Sequence, residues 1–134
     1  MLAISPEKVC YIIVKAREFD VKEASTELNE GGHPSGDRFV EVLEDAPDDP
    51  AFEELVGGLR SLNREELVEV AALAWIGRGD FDAAQLDEAR RTAAELKPDW
   101  LIRRLVGLPL LGDYLEEGLS SFGQSCAEFE VNRL

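Results

Sequence analysis

Histidine is almost missing from this sequence: His33 is the one example in 134 residues. Cysteine is nearly as scarce, and Cys10 and Cys126 stand far apart in the chain. A zinc site of the usual ligand type cannot be built from that set within one chain unless carboxylates supply most of it. A Cys–His nucleophile pair would need His33 to fold back onto Cys10 or Cys126, which nothing in the spacing demands. A disulfide scaffold would need more cysteines in so short a chain. Reduced thiols in a cytoplasmic protein are therefore the economical expectation.

Positive charge is also in short supply. Lys and Arg number 14 against 28 Asp and Glu, for a net charge of −14. Binding to a nucleic-acid backbone works by counterion release at Lys and Arg clusters, so direct nucleic-acid binding is not expected. Docking on an anionic membrane surface is disfavoured for the same reason. No apolar run reaches 18 residues; the longest candidate, 67–76, is interrupted by Glu69 and is too short to span a bilayer. Residues 1–7 show no basic stretch ahead of an apolar one, so no secretory signal is expected. No segment alternates apolar and polar residues for long enough to make a strand.

What remains is a globular balance, 45% apolar and 31% charged. The length suits one domain over 1–134, enough to bury about two-thirds of the unfolded chain's surface. Helix signals recur along it. Ser5 and Pro6 form a cap followed by proline, and Val9, Ile12, Ile13, Ala16 and Phe19 follow on one face. Cys10, Tyr11 and Val14 lie off that face and form an additional apolar stripe, a candidate oligomer contact.

Residues 20–36 turn polar and end in a Gly- and Pro-rich stretch around His33, which reads as a loop-rich segment. A short helix is expected at 37–45, stopped by Pro47, and another after Asp49 and Pro50 with Phe52, Leu55, Val56 and Leu59 inward. Asn63 and Glu66 form a capping-box pattern, opening a helix at 64–77 that is apolar nearly all round and so should be central. Gly77 and Gly79 should end it. Asp82 and Gln85 repeat the capping pattern, and Asp87 with Arg91 has the favourable i,i+4 spacing for an ion pair. A short helix follows Pro98, and Pro109 should open the last one, with Leu111, Leu115, Leu119 and Phe122 on one face.

The expected fold is thus all-α: a compact single-domain orthogonal bundle of six or seven short helices. The helix at 64–77 should be packed by the first helix, the one after residue 85, and the last.

Four groups could carry chemistry. The acidic run 41–54 holds Glu41, Glu44, Asp45, Asp48, Asp49, Glu53 and Glu54 without a base among them; it is either a solvated face or a surface for a basic partner. Asp80, Asp82, Asp87 and Glu88 invite comparison with a calcium loop. Counting from Asp80, however, positions five, six and twelve are Ala84, Gln85 and Arg91, and the match fails. The glycine-rich loop around His33 lacks the Lys-Ser or Lys-Thr of a phosphate cradle, so no cofactor is expected there. Lastly, Arg78 and Asp80 follow Trp75 at a turn, and Asp113 and Glu117 sit one helical turn apart. Trp75, Arg78, Asp80, Asp113 and Glu117 are the candidate polar pocket.

The segments WIGRGD (75–80) and PLLGDYLEEGLSSFGQSC (109–126) resemble a small bacterial family known as a domain of unknown function, over roughly residues 60–126. The resemblance implies a small helical, cytoplasmic protein and assigns no activity, ligand or catalytic residue. The functional expectation is a non-catalytic acidic module that binds a protein partner or itself, with a homodimer through the first helix. One alternative is a small-molecule binder or enzyme using the pocket near Trp75, Arg78 and Asp113. The other is an acidic mimic of nucleic acid.

Overall fold

The computed structural model describes residues 2–30 and 50–127, with side chains described over 2–21 in the first of these segments. The helix expected at 37–45, His33, and the acidic run up to Asp49 lie outside the described residues. Six α-helices and no strand occur among those described: α1 (Pro6–Glu30), α2 (Pro50–Arg60), α3 (Arg64–Arg78), α4 (Leu86–Ala94), α5 (Pro98–Val106) and α6 (Leu111–Ser120), with a 3₁₀ turn over Ala83–Gln85. The fold is all-α. Among the described residues, no helix is long and apolar enough to cross a membrane.

α1 buries the stripe its spacing implies, with Val9, Ile12, Ile13, Ala16 and Phe19 all in the core. It then stays helical to Glu30, into the span that composition reads as a loop. The segment 20–30 is polar, but it contains neither Gly nor Pro, and three Glu with Lys22, Ala24 and Leu28 make up more than half of it. Those side chains lose little rotamer freedom in a helix, so polarity alone does not stop one.

α3 is buried nearly all round, as its composition demands. Its capping box is complete: Glu66 N–H donates to Asn63 Oδ1 at 2.8 Å, and Asn63 N–H donates to Glu66 Oε1 at 3.0 Å. The helix does not stop at Gly77. It runs to Arg78 and is closed by Gly79 in the left-handed region, φ 97°. Gly77 instead lies in the contact with α6. A Cβ built on Gly77 would run into the Tyr114 carbonyl, and one on Gly118 would run into the Leu73 carbonyl. The two backbones pack directly on each other, and only glycine fits at both points.

α3 therefore has α6 and α4 as its main neighbours, with α5 beside it. α1 packs chiefly on α6 and α2 rather than on α3, contrary to the sequence expectation. α6 fills the place opposite α3 because its glycines let it approach more closely than α1's branched side chains would allow. α6 begins at Leu111, not at Pro109: Leu110 is its N-cap in the left-handed region, φ 64°. That conformation costs a non-glycine residue about 1–2 kcal/mol.

The two cysteines are joined, which overturns the expectation of reduced thiols. Cys10 and Cys126 form a disulfide with Cα atoms 5.7 Å apart, although 116 positions separate them. Sequence distance gave no sign of this. The chain that leaves α6 returns past α1, where Cys10 points inward and is 1% exposed.

Candidate functional site

Trp75, Arg78 and Asp80 come together as the sequence suggests. They line a cleft of about 300 Å³ with Phe81, Thr92 and Arg104. The last turn of α3 supplies Trp75 and Arg78, and the left-handed Gly79 turns the chain so that Asp80 faces back. Arg78 Nε donates to Asp80 Oδ2 at 2.7 Å, pairing within the turn and not with a neighbouring helix. Trp75 is half-buried against the core and tilts over Phe81 with ring centroids 6.3 Å apart. Arg104 makes no ion pair or hydrogen bond among the described residues.

Asp113 and Glu117 are not part of this cleft. Arg17 of α1 holds Asp113 and Glu116 at 2.9 Å each, a bridge across the α1–α6 contact. Burial works against the Arg17 charge, but the two carboxylates more than offset it and raise its pKa further above the ordinary value. Glu117 is exposed. The five-residue pocket thus divides into a three-residue cleft, an Asp113 ion-paired to Arg17, and an exposed Glu117 that belongs to neither.

The stripe on α1 divides too. Cys10 faces the core and is bonded to Cys126, so it offers nothing to a partner. Tyr11 is half-buried, and its ring and the Ile12 side chain both crowd the point where a Cβ on Gly58 of α2 would stand. Lys15 Nζ stands 5.5 Å from the ring centroid. Val14 is 38% exposed. Of the acidic run, Glu53 and Glu54 are described; both are exposed, and Glu54 accepts from Lys15 Nζ at 3.0 Å. Among the described residues, no three His, Cys, Asp or Glu side chains gather as a metal site would require.

Sequence reasoning missed a second cleft, of about 570 Å³, between the first half of α3 and α4. At its base is Glu69, 1% exposed on the otherwise apolar α3. Arg90 grips it in a fork, with Nε to Oε1 and Nη2 to Oε2, each 2.7 Å, and the Ala3 N–H donates to Oε2 at 2.7 Å. Burial pushes the Glu69 carboxyl up, but Arg90 and the Ala3 N–H hold it below the ordinary glutamate value of 4.5. Arg90 Nη1 also reaches Asp87 at 3.1 Å. Asp87 is therefore paired with Arg90 and not with Arg91, as spacing alone suggests. The signal for this site was present in the sequence: an acid in a helix that is apolar on every side must have a partner.

Against known proteins, a family model described as "Protein of unknown function (DUF3775)" matches residues 52–124. No curated protein matches the chain, and no solved structure does. The matched span takes in nearly all of α2 and everything through α6, including the Trp75 cleft and Glu69. It leaves α1 and both cysteines outside.

Proposed function

The chain belongs to the DUF3775 family of proteins of unknown function, and we propose that it acts as a non-catalytic, acidic protein-interaction or assembly module that pairs with a second copy through α1. The observation that supports this reading is Val14, an aliphatic side chain 38% exposed beside the half-buried Tyr11 on a helix whose other apolar face is already committed to the core. The large net negative charge keeps such a module soluble while it awaits its partner. Cytoplasmic residence, expected from the scarcity of cysteine, loses that support once the two thiols are joined.

Light scattering at micromolar concentration tests the reading. The expected mass is that of a dimer, reduced to a monomer by Val14→Asp with helical circular dichroism unchanged. A monomeric wild-type protein overturns it. Tyr11→Asp is the harsher variant, because Tyr11 also packs on Gly58.

A second reading, a small-molecule binder, is favoured by the convergence of Trp75, Arg78 and Asp80 on one cleft. Native mass spectrometry of the purified protein would then show a retained small molecule, lost on Trp75→Ala. The acidic-mimic reading has less to stand on, since most of its run lies outside the described residues and Glu54 is engaged by Lys15.

A further inference from the structure

We propose that the cleft between α3 and α4 binds a small organic carboxylate, a single negative charge on a short apolar body. The site shares no lining residue with the Trp75 cleft and goes beyond the interaction reading.

Its charge balance is unusual for this chain. Arg64, Arg90 and Arg91 line it against Glu65 and Glu69, an excess of positive charge on a protein of net charge −14. Arg90 and Glu69 cancel each other through their fork. That leaves Arg64 from α3 and Arg91 from α4. Asp87, the acid best placed by spacing to neutralise Arg91, is taken by Arg90. Arg91 consequently makes no ion pair or hydrogen bond among the described residues. Arg64 gives one N–H to the Ala94 carbonyl at 2.7 Å, which holds the guanidinium beside the cleft and leaves it without a carboxylate partner there. A guanidinium presents a planar fork of N–H donors that matches a carboxylate.

The remaining lining selects among anions. Ala3, Val68 and Ala94 are apolar and suit a short hydrocarbon body. Glu65 is exposed and offsets one of the two available cations. With Asp87 on Arg90 counted, three arginines and three acids balance around the cleft, so a monoanion held by the Arg91 fork is favoured over a phosphate dianion. Beneath them the Glu69–Arg90 pair is fixed, so the base of the cleft is ordered before the ligand arrives.

The test is a titration of the full chain, followed by amide NMR, with sodium pentanoate, sodium phosphate and sodium chloride at matched ionic strength. Saturable shifts with pentanoate at Arg64, Val68, Arg91 and Ala94 are expected, with phosphate binding more weakly and chloride not at all. Arg91→Gln should weaken pentanoate about tenfold, as loss of a charge-assisted contact does. It should leave the fold intact, because Arg91 bonds to no other described residue. Glu65→Gln should tighten pentanoate and narrow the gap to phosphate. Pentanoate shifts no different from those of chloride, saturation unchanged in Arg91→Gln, or tighter binding of phosphate than of pentanoate in the wild type would each overturn the proposal.

Discussion

α3 and α1 are attached to the rest of the molecule by opposite means. α3 meets α6 where side chains are absent: Gly77 lies against the Tyr114 carbonyl and Gly118 against the Leu73 carbonyl. α1 is attached by side chains that are present. Its buried face carries Val9, Ile12, Ile13, Ala16 and Phe19. Around that face run Lys8 to Glu66 at 2.6 Å, Lys15 to Glu54 at 3.0 Å, Arg17 to Asp113 and Glu116, and the disulfide to Cys126. The α3–α6 contact lies wholly inside the family match, whereas α1 lies outside it. A contact built on missing side chains tolerates no enlargement. One built on long polar links yields at one link without losing the others, since exposed ion pairs contribute only about 0–1 kcal/mol each.

The largest effect should come from breaking the first kind of contact. Gly77→Ala improves helix propensity by about 1 kcal/mol, yet its new methyl has nowhere to go but into backbone. The expected net loss is about 3–5 kcal/mol, because a carbonyl cannot rotate away as a side chain would. Urea denaturation measures it. A loss below about 1 kcal/mol would mean that α3 and α6 slide apart at little cost, and that the glycines are not what sets their distance.

Next is the disulfide that fastens α1. It closes a loop of 116 positions, and a disulfide typically stabilises by roughly 2–4 kcal/mol, chiefly by restricting the unfolded chain. Replacing both Cys10 and Cys126 by Ala should lower stability by about that amount while helicity is retained. Hydrogen exchange sharpens the comparison. Amides of α1 should accelerate more than those of α3 and α6; equal acceleration would show that the two regions open as one unit.

The Glu69–Arg90 pair should contribute less, and its contribution should depend on pH. A carboxyl held below its ordinary value contributes stability in full above that value, and the contribution is lost as pH falls from there through the lowered one. Glu66 adds in the same direction: Lys8 and the Asn63 N–H lower its pKa against the opposing effect of burial. Stability should thus be flat near neutrality and fall below about pH 4.5. Glu69→Gln should lose about 2 kcal/mol at neutral pH, less than a fully buried pair because Arg90 is 31% exposed and can turn to water. Its thermal melts should also decline less steeply below that pH than the wild type's. An identical slope would assign the acid sensitivity to other groups.

What could be read from the sequence follows from how local each determinant is. The α1 stripe, the buried α3 and the Asn63–Glu66 box depend on residues within a turn or two of each other, and all three are present. Trp75, Arg78 and Asp80 converge because one turn holds them. Nothing local ties Asp113 and Glu117 to that turn, and Asp113 pairs with Arg17 instead. Cys10 with Cys126, Glu69 with Arg90, and Gly77 against Tyr114 are long-range facts. Gly77 is the most instructive, since the same letter marks a helix stop when read alone and a packing residue when α6 lies beside it.

Gly57 supplies the matched control and the smallest effect. Like Gly77 it lies inside a helix, here α2, but a Cβ at this position meets nothing within 4 Å. The position is exposed, so no contact changes sign on substitution. Only the backbone term remains: alanine restricts the unfolded chain and favours the helix, worth about 0.5–1 kcal/mol relative to glycine. Gly57→Ala should therefore raise the denaturation midpoint slightly while Gly77→Ala lowers it sharply. The pair of variants separates helix propensity from close packing within one molecule. A destabilised Gly57→Ala would mean that something covers α2 at that point, and the contrast between the two glycines would then fail.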